Sequence, residues 1–205
     1  RYYIQLWNWA VKGHHALTNV AKALTVAQSD ESLPEALTLD QAIALLQATR
    51  DNDPPLMPWL CTGLFAGLRV AELARLDAAA FRAGKLHLDA SITKTRDRRI
   101  LDLLPNLADW LSAYPPNGLL LQTNHRKRFE AVRKTAGLAT WPNNALRHSF
   151  ATYHLAAFQD AGKTAHYTRH QSQITLHKHY IDLATHDAGK SYFSLTPSTL
   201  HPTAE

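Results

Sequence analysis

The chain has 205 residues, 45% of them hydrophobic, with a formal charge of +5, a pI near 9.4 and one cysteine, Cys61. That length holds one ordinary domain plus part of another, and the apolar fraction excludes general disorder. A lone cysteine excludes a disulfide framework and a thiolate metal site, and no apolar run approaches the ~20 residues of a membrane span. The basic balance favours an acidic partner, nucleic acid being the commonest, and the twelve histidines add positive charge below neutrality. With no signal peptide visible, a cytoplasmic protein without membrane contact is expected, and a chain beginning at Arg1 is expected to be a fragment.

In chain order, Tyr3, Leu6, Trp7 and Trp9–Ala10 are spaced to form one apolar helical face ending at Gly13, and a shorter helical pattern runs from Leu17 to Leu24. The polar, proline-containing S-D-E-S-L-P-E that follows reads as a linker, with a domain boundary near Ser29 to Pro34. Residues 1–30 are too few to bury a core, so they are expected to be the tail of a truncated helical domain. Residues 34–205 are expected to form the main domain, with a tail from about 181 to 205. Thr38-Leu-Asp-Gln41 has the form of a capping box opening a helix with Ala42, Leu45, Leu46 and Ala48 on its apolar face. The run Leu60 to Ala66 is apolar almost all round, which predicts a helix buried in the middle of the domain. Gly67 ends it, and Arg69 and Glu72 stand three apart at the start of the next helix.

From Asp77 to Asp102 the pattern changes to period two, with Leu86 and Leu88, then Ile100 and Asp102, alternating. Gly84 and the polar K-T-R-D-R-R supply turns, which predicts about three short antiparallel strands with Lys94 in a hairpin. The expected class is therefore mainly α with a small antiparallel sheet, α+β. Asn106 to Tyr114 reads as a short helix, and Asn124 to Ala136 as a basic one bearing Arg126, Lys127, Arg128, Arg133 and Lys134, stopped by Gly137. A basic helix is as readily a solvated face as a DNA contact.

The stretch Asn144 to Tyr180 organises the chain. Leu146, Phe150, Tyr153 and Ala157 give one helical stripe, and Asn144 and Arg147 project together near its N-terminus, where a guanidinium beside free N–H groups makes an anion site. Tyr180 ends a polar, histidine-rich segment, T-L-H-K-H-Y, where an exposed phenol is expected. His166, His170, His177 and His179 invite a metal reading, but no carboxylate or cysteine completes a ligand set, so no metal is expected. Singly, each residue has a plain reading: Arg69 pairing Glu72, Arg147 on a surface, Lys94 in a solvated loop, Tyr180 at a boundary.

Together, F-A-G-L-R-V-A-E-L-A-R-L, the hairpin K-T, N-A-L-R-H-S-F and the final H-Y resemble, in order and in spacing, the boxes of the tyrosine recombinase (phage integrase) family. The boxes run from Phe65 to Tyr180. It implies that residues 1–30 are the end of a core-binding domain and 34–205 a catalytic domain. It makes Arg69, Lys94, Asn144, Arg147, His170 and Tyr180 catalytic, with Glu72, His148 and Gln171 supporting. Asn144 stands where most members have His, as in some bacterial branches. The histidine before the tyrosine is His170 by residue type and Gln171 by spacing, and both registers stay open. His148 is expected to pack behind the site.

The activity implied is site-specific cutting and rejoining of DNA, with recombination or integration as its outcome. Tyr180 attacks phosphorus to form a 3′-phosphotyrosyl link and free a 5′-hydroxyl. Arg69 and Arg147 stabilise the transition state and Lys94 protonates the leaving oxygen. The partners implied are double-stranded DNA, through Arg126, Lys127 and Arg128 among others, and a homotetramer on DNA that exchanges C-terminal tails. The setting implied is a bacterial nucleoid, a phage or another mobile genetic element. A catalytically silent DNA-binding relative, or a related transposase or resolvase, is the alternative.

Overall fold

The structure, a computed structural model, describes residues 2–24, 34–90, 98–169, 176, 180 and 183–200. The chain divides into two compact units, Arg1–Leu33 and Pro34–Glu205. Lys94, His170 and Gln171, with most of the expected linker, lie outside the described residues.

In the first unit, α1 (Tyr2–Lys12) has no buried residue, and Tyr2, Tyr3, Leu6 and Trp9 are all more than half exposed. Asn19 ties the following turn to it, donating to the carbonyl of Ile4 at 3.1 Å and to Asn8 Oδ1 at 2.7 Å. The second helical pattern is a single 3-10 turn, Val20–Ala23, and Leu17 is exposed. Asn19 also accepts from the Ala21 N–H, a cap that starts the turn after Leu17 and leaves that side chain outside.

The second unit opens on α2 (Leu39–Asn52), with the expected capping box: Thr38 Oγ1 accepts from the Gln41 N–H and Gln41 Oε1 from the Thr38 N–H. α3 (Met57–Ala66) is buried at every position, so it is the axis on which the other helices pack. Gly67 ends it at φ +64, and a Cβ there would also lie 2.3 Å from the Phe150 ring, so only glycine meets both demands. The single turn α4 (Val70–Leu73) follows.

The sheet is antiparallel in the order β1 (Phe81–Arg82), β2 (Lys85–Leu88), β3 (Arg99–Asp102). Leu86 pairs with Leu101 and Leu88 with Arg99, so the inward face of β3 carries Arg99 and Leu101. Ile100 pairs with His87 on the other face and is exposed, because cross-strand partners share a face.

α5 (Pro105–Ala113), α6 (His125–Thr135), α7 (Ala145–Phe158), α8 (Ala161–Thr168) and α9 (His186–Phe193) complete the unit. α7 packs on α3 along one side and on α9 along another. Ser149 Oγ accepts from the Leu37 N–H and the Tyr153 hydroxyl donates to the Leu37 carbonyl, so α7 fixes where the domain begins.

The tail departs from expectation. Tyr192, Leu195 and Leu200 belong to the core of their own unit rather than to a segment offered to another protomer. The Tyr192 hydroxyl donates to the Leu64 carbonyl at 3.1 Å, Trp110 Nε1 to the Leu195 carbonyl at 3.0 Å, and Arg50 Nη1 to the Leu200 carbonyl at 2.7 Å. At Gly189 the backbones of α9 and α7 come so close that a Cβ would lie 2.6 Å from the Ala157 nitrogen. The physical reason is that Phe65 and Tyr153 offer aromatic faces in cis. Tyr192 stacks on Tyr153 with ring centroids 4.2 Å apart and meets Phe65 edge-on.

Candidate active site

Glu72 organises the site. It sits at the third position of α4, fully buried, and its Oε2 accepts the Arg69 N–H at 3.0 Å, fixing the turn after Gly67. Its Oε1 lies 3.4 Å from Arg69 Nη1, so the plain pairing of these residues exists. Arg69 is about one-third exposed and reaches onward, Nη2 donating to the Arg169 carbonyl at 3.2 Å. Arg169 holds that carbonyl from a left-handed backbone, φ 53, at the end of α8.

Arg99 enters the same cluster, and sequence reasoning missed it. From β3 its Nη2 reaches Glu72 Oε2 at 3.4 Å and its Nη1 donates to the Tyr167 carbonyl at 2.9 Å. Its inward position follows from the pleat: Leu101 points into the core, so Arg99, two residues earlier, does too. Burial lowers its pKa, Glu72 opposes that, and Arg69 and Arg169 add to the lowering.

Arg147, at the N-terminus of α7, is nine-tenths buried and donates from Nη1 to the Gly67 carbonyl at 3.0 Å. Burial, and then the repulsion of Arg69, lower its pKa to about 10, so it stays charged at neutrality. Asn144 precedes α7 in a left-handed conformation that Asn tolerates, is exposed, and makes no side-chain cap. Asn144 and Arg147 both line a cleft of about 320 Å³ that also takes in Val70, Arg126, Arg133 and Trp141.

Tyr180 is placed differently from expectation. It is 4% exposed, packed with Ala151, Leu155 and Leu176, so its ring is held rather than displayed. The apolar stripe of α7 continues beyond the main core at Ala151 and Leu155, and that surface claims the ring. Its hydroxyl lies 2.6 Å from His148 Nδ1. Burial raises the phenol pKa, while the Arg147 charge acts in the opposite sense. Burial and Arg147 both lower that of His148, favouring a neutral imidazole. His148 therefore faces the Tyr180 hydroxyl.

The basic helix splits in its uses. Arg128 is committed inside the domain, its guanidinium paired with both oxygens of Asp53 and donating to Gln122 Oε1 at 2.8 Å. Arg133 lies over the rings of Phe129 and Trp141, and Lys134 pairs with Glu130 at 3.0 Å. Arg126 and Lys127 are exposed.

No protein-family model matches the chain, and comparison with curated proteins finds no relative. Solved structures do match. A lambda integrase dimer bound to a COC′ core site is similar over 88% of this chain and 57% of its own, at 18% identity and a TM-score of 0.66. XerA recombinase is similar over 92% of this chain and 80% of its own, at 20% identity and a TM-score of 0.60. The integrase from mycobacterium phage Brujita is similar over 97% and 72%, at 19% identity and a TM-score of 0.55. The chain thus spans little more than half the length of the lambda integrase in that complex. Its fold is that of the tyrosine recombinase catalytic domain, mainly α with a small antiparallel sheet.

Proposed function

We propose that this chain cuts and rejoins DNA as a site-specific recombinase or integrase, through a covalent bond between Tyr180 and a 3′-phosphate. One observation carries the reading: Arg147 donates to the carbonyl of Gly67, just before Arg69, while its chain neighbour His148 meets the Tyr180 hydroxyl at 2.6 Å. That proximity supports reading Arg69, Arg147 and Tyr180, far apart in sequence, as parts of one site. Arg69, Arg99 and Arg147 share Glu72 as their nearby carboxylate, which leaves the cluster with excess positive charge suited to a phosphodiester.

In this reading Arg69 and Arg147 donate to the non-bridging oxygens and stabilise the charge that grows in the transition state. Arg99 holds Glu72, and Glu72 holds the turn that presents Arg69. The Tyr180 oxygen attacks phosphorus, and the bond energy kept in the phosphotyrosyl link lets the strand be rejoined without a nucleotide cofactor. Lys94 is assigned to protonating the leaving 5′-oxygen. Asn144 is assigned to hydrogen-bonding the phosphate from the edge of the cleft, and His170 or Gln171 to a similar bond from the segment before Tyr180. Residues 1–30 are assigned to the end of a helical core-binding domain. The lambda integrase structures include a tetramer bound to a Holliday junction, and a homotetramer on DNA is the assembly proposed here.

The test is trapping on nicked duplexes of randomised sequence. Cutting beside a nick releases a short strand that diffuses away, so an enzyme accumulates as a denaturant-resistant adduct whose DNA has a blocked 3′ end. Retention of DNA that is lost in denaturant would instead mark a silent binder. An adduct blocked at the 5′ end would contradict the proposed polarity.

A further inference from the structure

We propose that His148 is the catalytic base of the cleavage step, taking the Tyr180 hydroxyl proton as the phenolic oxygen bonds to phosphorus. The inference rests on the proposed role of Tyr180 and adds to it the group that activates the nucleophile.

The geometry is direct. His148 Nδ1 and the Tyr180 hydroxyl are 2.6 Å apart, well inside the reach a general base needs. Both partners are fixed: His148 by α7, and Tyr180 by its packing on Ala151 and Leu155 of the same helix. The rings are tilted by 31° with centroids 5.8 Å apart, so the contact is through their polar edges rather than by stacking. A phenol has one proton to give. In a neutral imidazole with its hydrogen on Nε2, Nδ1 carries the lone pair that accepts it. Burial and the neighbouring Arg147 favour that neutral form, and Arg147 also favours the phenolate.

Asn144 strengthens the case. The amide at the start of α7 can donate a hydrogen bond but cannot take up a proton at neutral pH. The imidazole one turn further along, where the His148 backbone N–H donates to the Asn144 carbonyl at 2.9 Å, can. His148 is a titratable side chain in hydrogen-bond contact with the Tyr180 hydroxyl.

The step balances. The phenolic O–H bond breaks and its proton passes to Nδ1 while the Tyr180 oxygen bonds to phosphorus. The bond from phosphorus to the 5′-oxygen breaks, and that oxygen takes a proton from a separate acid, the role assigned to Lys94. On rejoining, the imidazolium returns its proton to the phenolic oxygen as it leaves. The positive charge of Arg147 beside that imidazolium favours the return.

The experiment compares single-turnover cleavage by His148→Asn and His148→Ala. Asn places Oδ1 near the position of Nδ1 and can hold the tyrosine, but it cannot carry the proton. Both variants should cleave at least ~100-fold more slowly, within the usual range for a lost general base, with DNA affinity unchanged. Added imidazole should restore part of the rate to His148→Ala. On DNA whose scissile 5′-oxygen is replaced by sulfur, which leaves without a proton, both losses should persist. Near-wild-type cleavage by His148→Asn would reduce His148 to a positioning residue and overturn the proposal. Losses that vanish on the sulfur substrate would overturn it too, by placing His148 on the leaving group. An adduct formed by Tyr180→Phe would instead remove the underlying assignment of the nucleophile, a separate failure. Urea midpoints close to wild type show that the variants are folded, and if His148→Ala is not, His148→Asn alone decides.

Discussion

Arg99 Nη2 lies 3.4 Å from Glu72 Oε2 with both side chains in the interior, and this pair links the sheet to the turn that presents Arg69. Removing one partner of a buried ion pair costs far more than the pair contributes, because the other charge stays behind. Glu72→Ala strands Arg69 and Arg99 and should destabilise the domain by roughly 3–5 kcal/mol in urea unfolding. Arg99→Met in the same background should recover part of that loss, because the two residues are in contact and do not behave additively. Simple addition of the two losses would show that the pair is not coupled.

His154 gives the fold a dependence on pH. Thr164 Oγ1 donates to the Asp160 carbonyl at 2.8 Å, so at its 2.7 Å contact with His154 Nδ1 it is the acceptor, and His154 Nδ1 carries the hydrogen. The ring is fully buried among Phe150, Phe158, Tyr167 and Phe193, and burial lowers its pKa from 6.5 to about 4. Between those values the unfolded chain binds the extra proton and the folded one does not. The contribution is therefore complete above pH 6.5, is lost as pH falls toward 4, and levels off below. It amounts to roughly 3 kcal/mol, at about 1.4 kcal/mol per unit of pKa difference. Unfolding curves at pH 7 and pH 4.5 should separate the wild type more than His154→Gln. Equal separation would place the acid sensitivity elsewhere.

The boxes around Arg69 and Arg147 were legible because each is local: helix starts and three-residue spacings are written in consecutive residues. The capping box at Thr38 and the buried helix Leu60 to Ala66 were legible for the same reason. Arg99 was not, because K-T-R-D-R-R reads as a polar turn, and only the pairing of Leu86 with Leu101 decides which of its arginines faces inward. An inward arginine on a strand demands a counter-charge, and that demand would have pointed to Glu72. Tyr180 looked exposed because its neighbours in sequence are polar. Its actual neighbours, Ala151 and Leu155, come from a helix a long way back in the chain. The tail looked unattached because its groove is made by α3 and α7, which no short window contains.

That cis packing changes what truncation does. Removing residues from Ala188 onward takes away Tyr192, Leu195 and Leu200 and uncovers Phe65 and Tyr153, so the domain itself should lose stability. Tyr192→Ala alone should cost about 3–5 kcal/mol, as for other large buried aromatics. A truncated chain with unchanged thermal unfolding that fails only in assembly would return the tail to a role between protomers.

The basic helix should show its division of labour in salt titrations. Arg126 lines the same cleft as Arg147, and Lys127 beside it is exposed, whereas Arg128 is occupied by Asp53. Neutralising Arg126 and Lys127 together should lower the slope of log affinity against log salt by roughly 2, at about 0.9 per phosphate contact. Arg128→Gln should leave the slope alone and lower the unfolding midpoint instead. A slope reduced by Arg128→Gln and untouched by the pair would reverse the assignment.

The most direct test of the central claim is to trap the protein on nicked DNA, digest both components, and locate the attached nucleotide by tandem mass spectrometry. The account predicts a nucleotide joined through its 3′-phosphate to the phenolic oxygen of Tyr180, and no adduct from Tyr180→Phe. A nucleotide on Tyr167 or Tyr192, or an adduct that survives Tyr180→Phe, would contradict it.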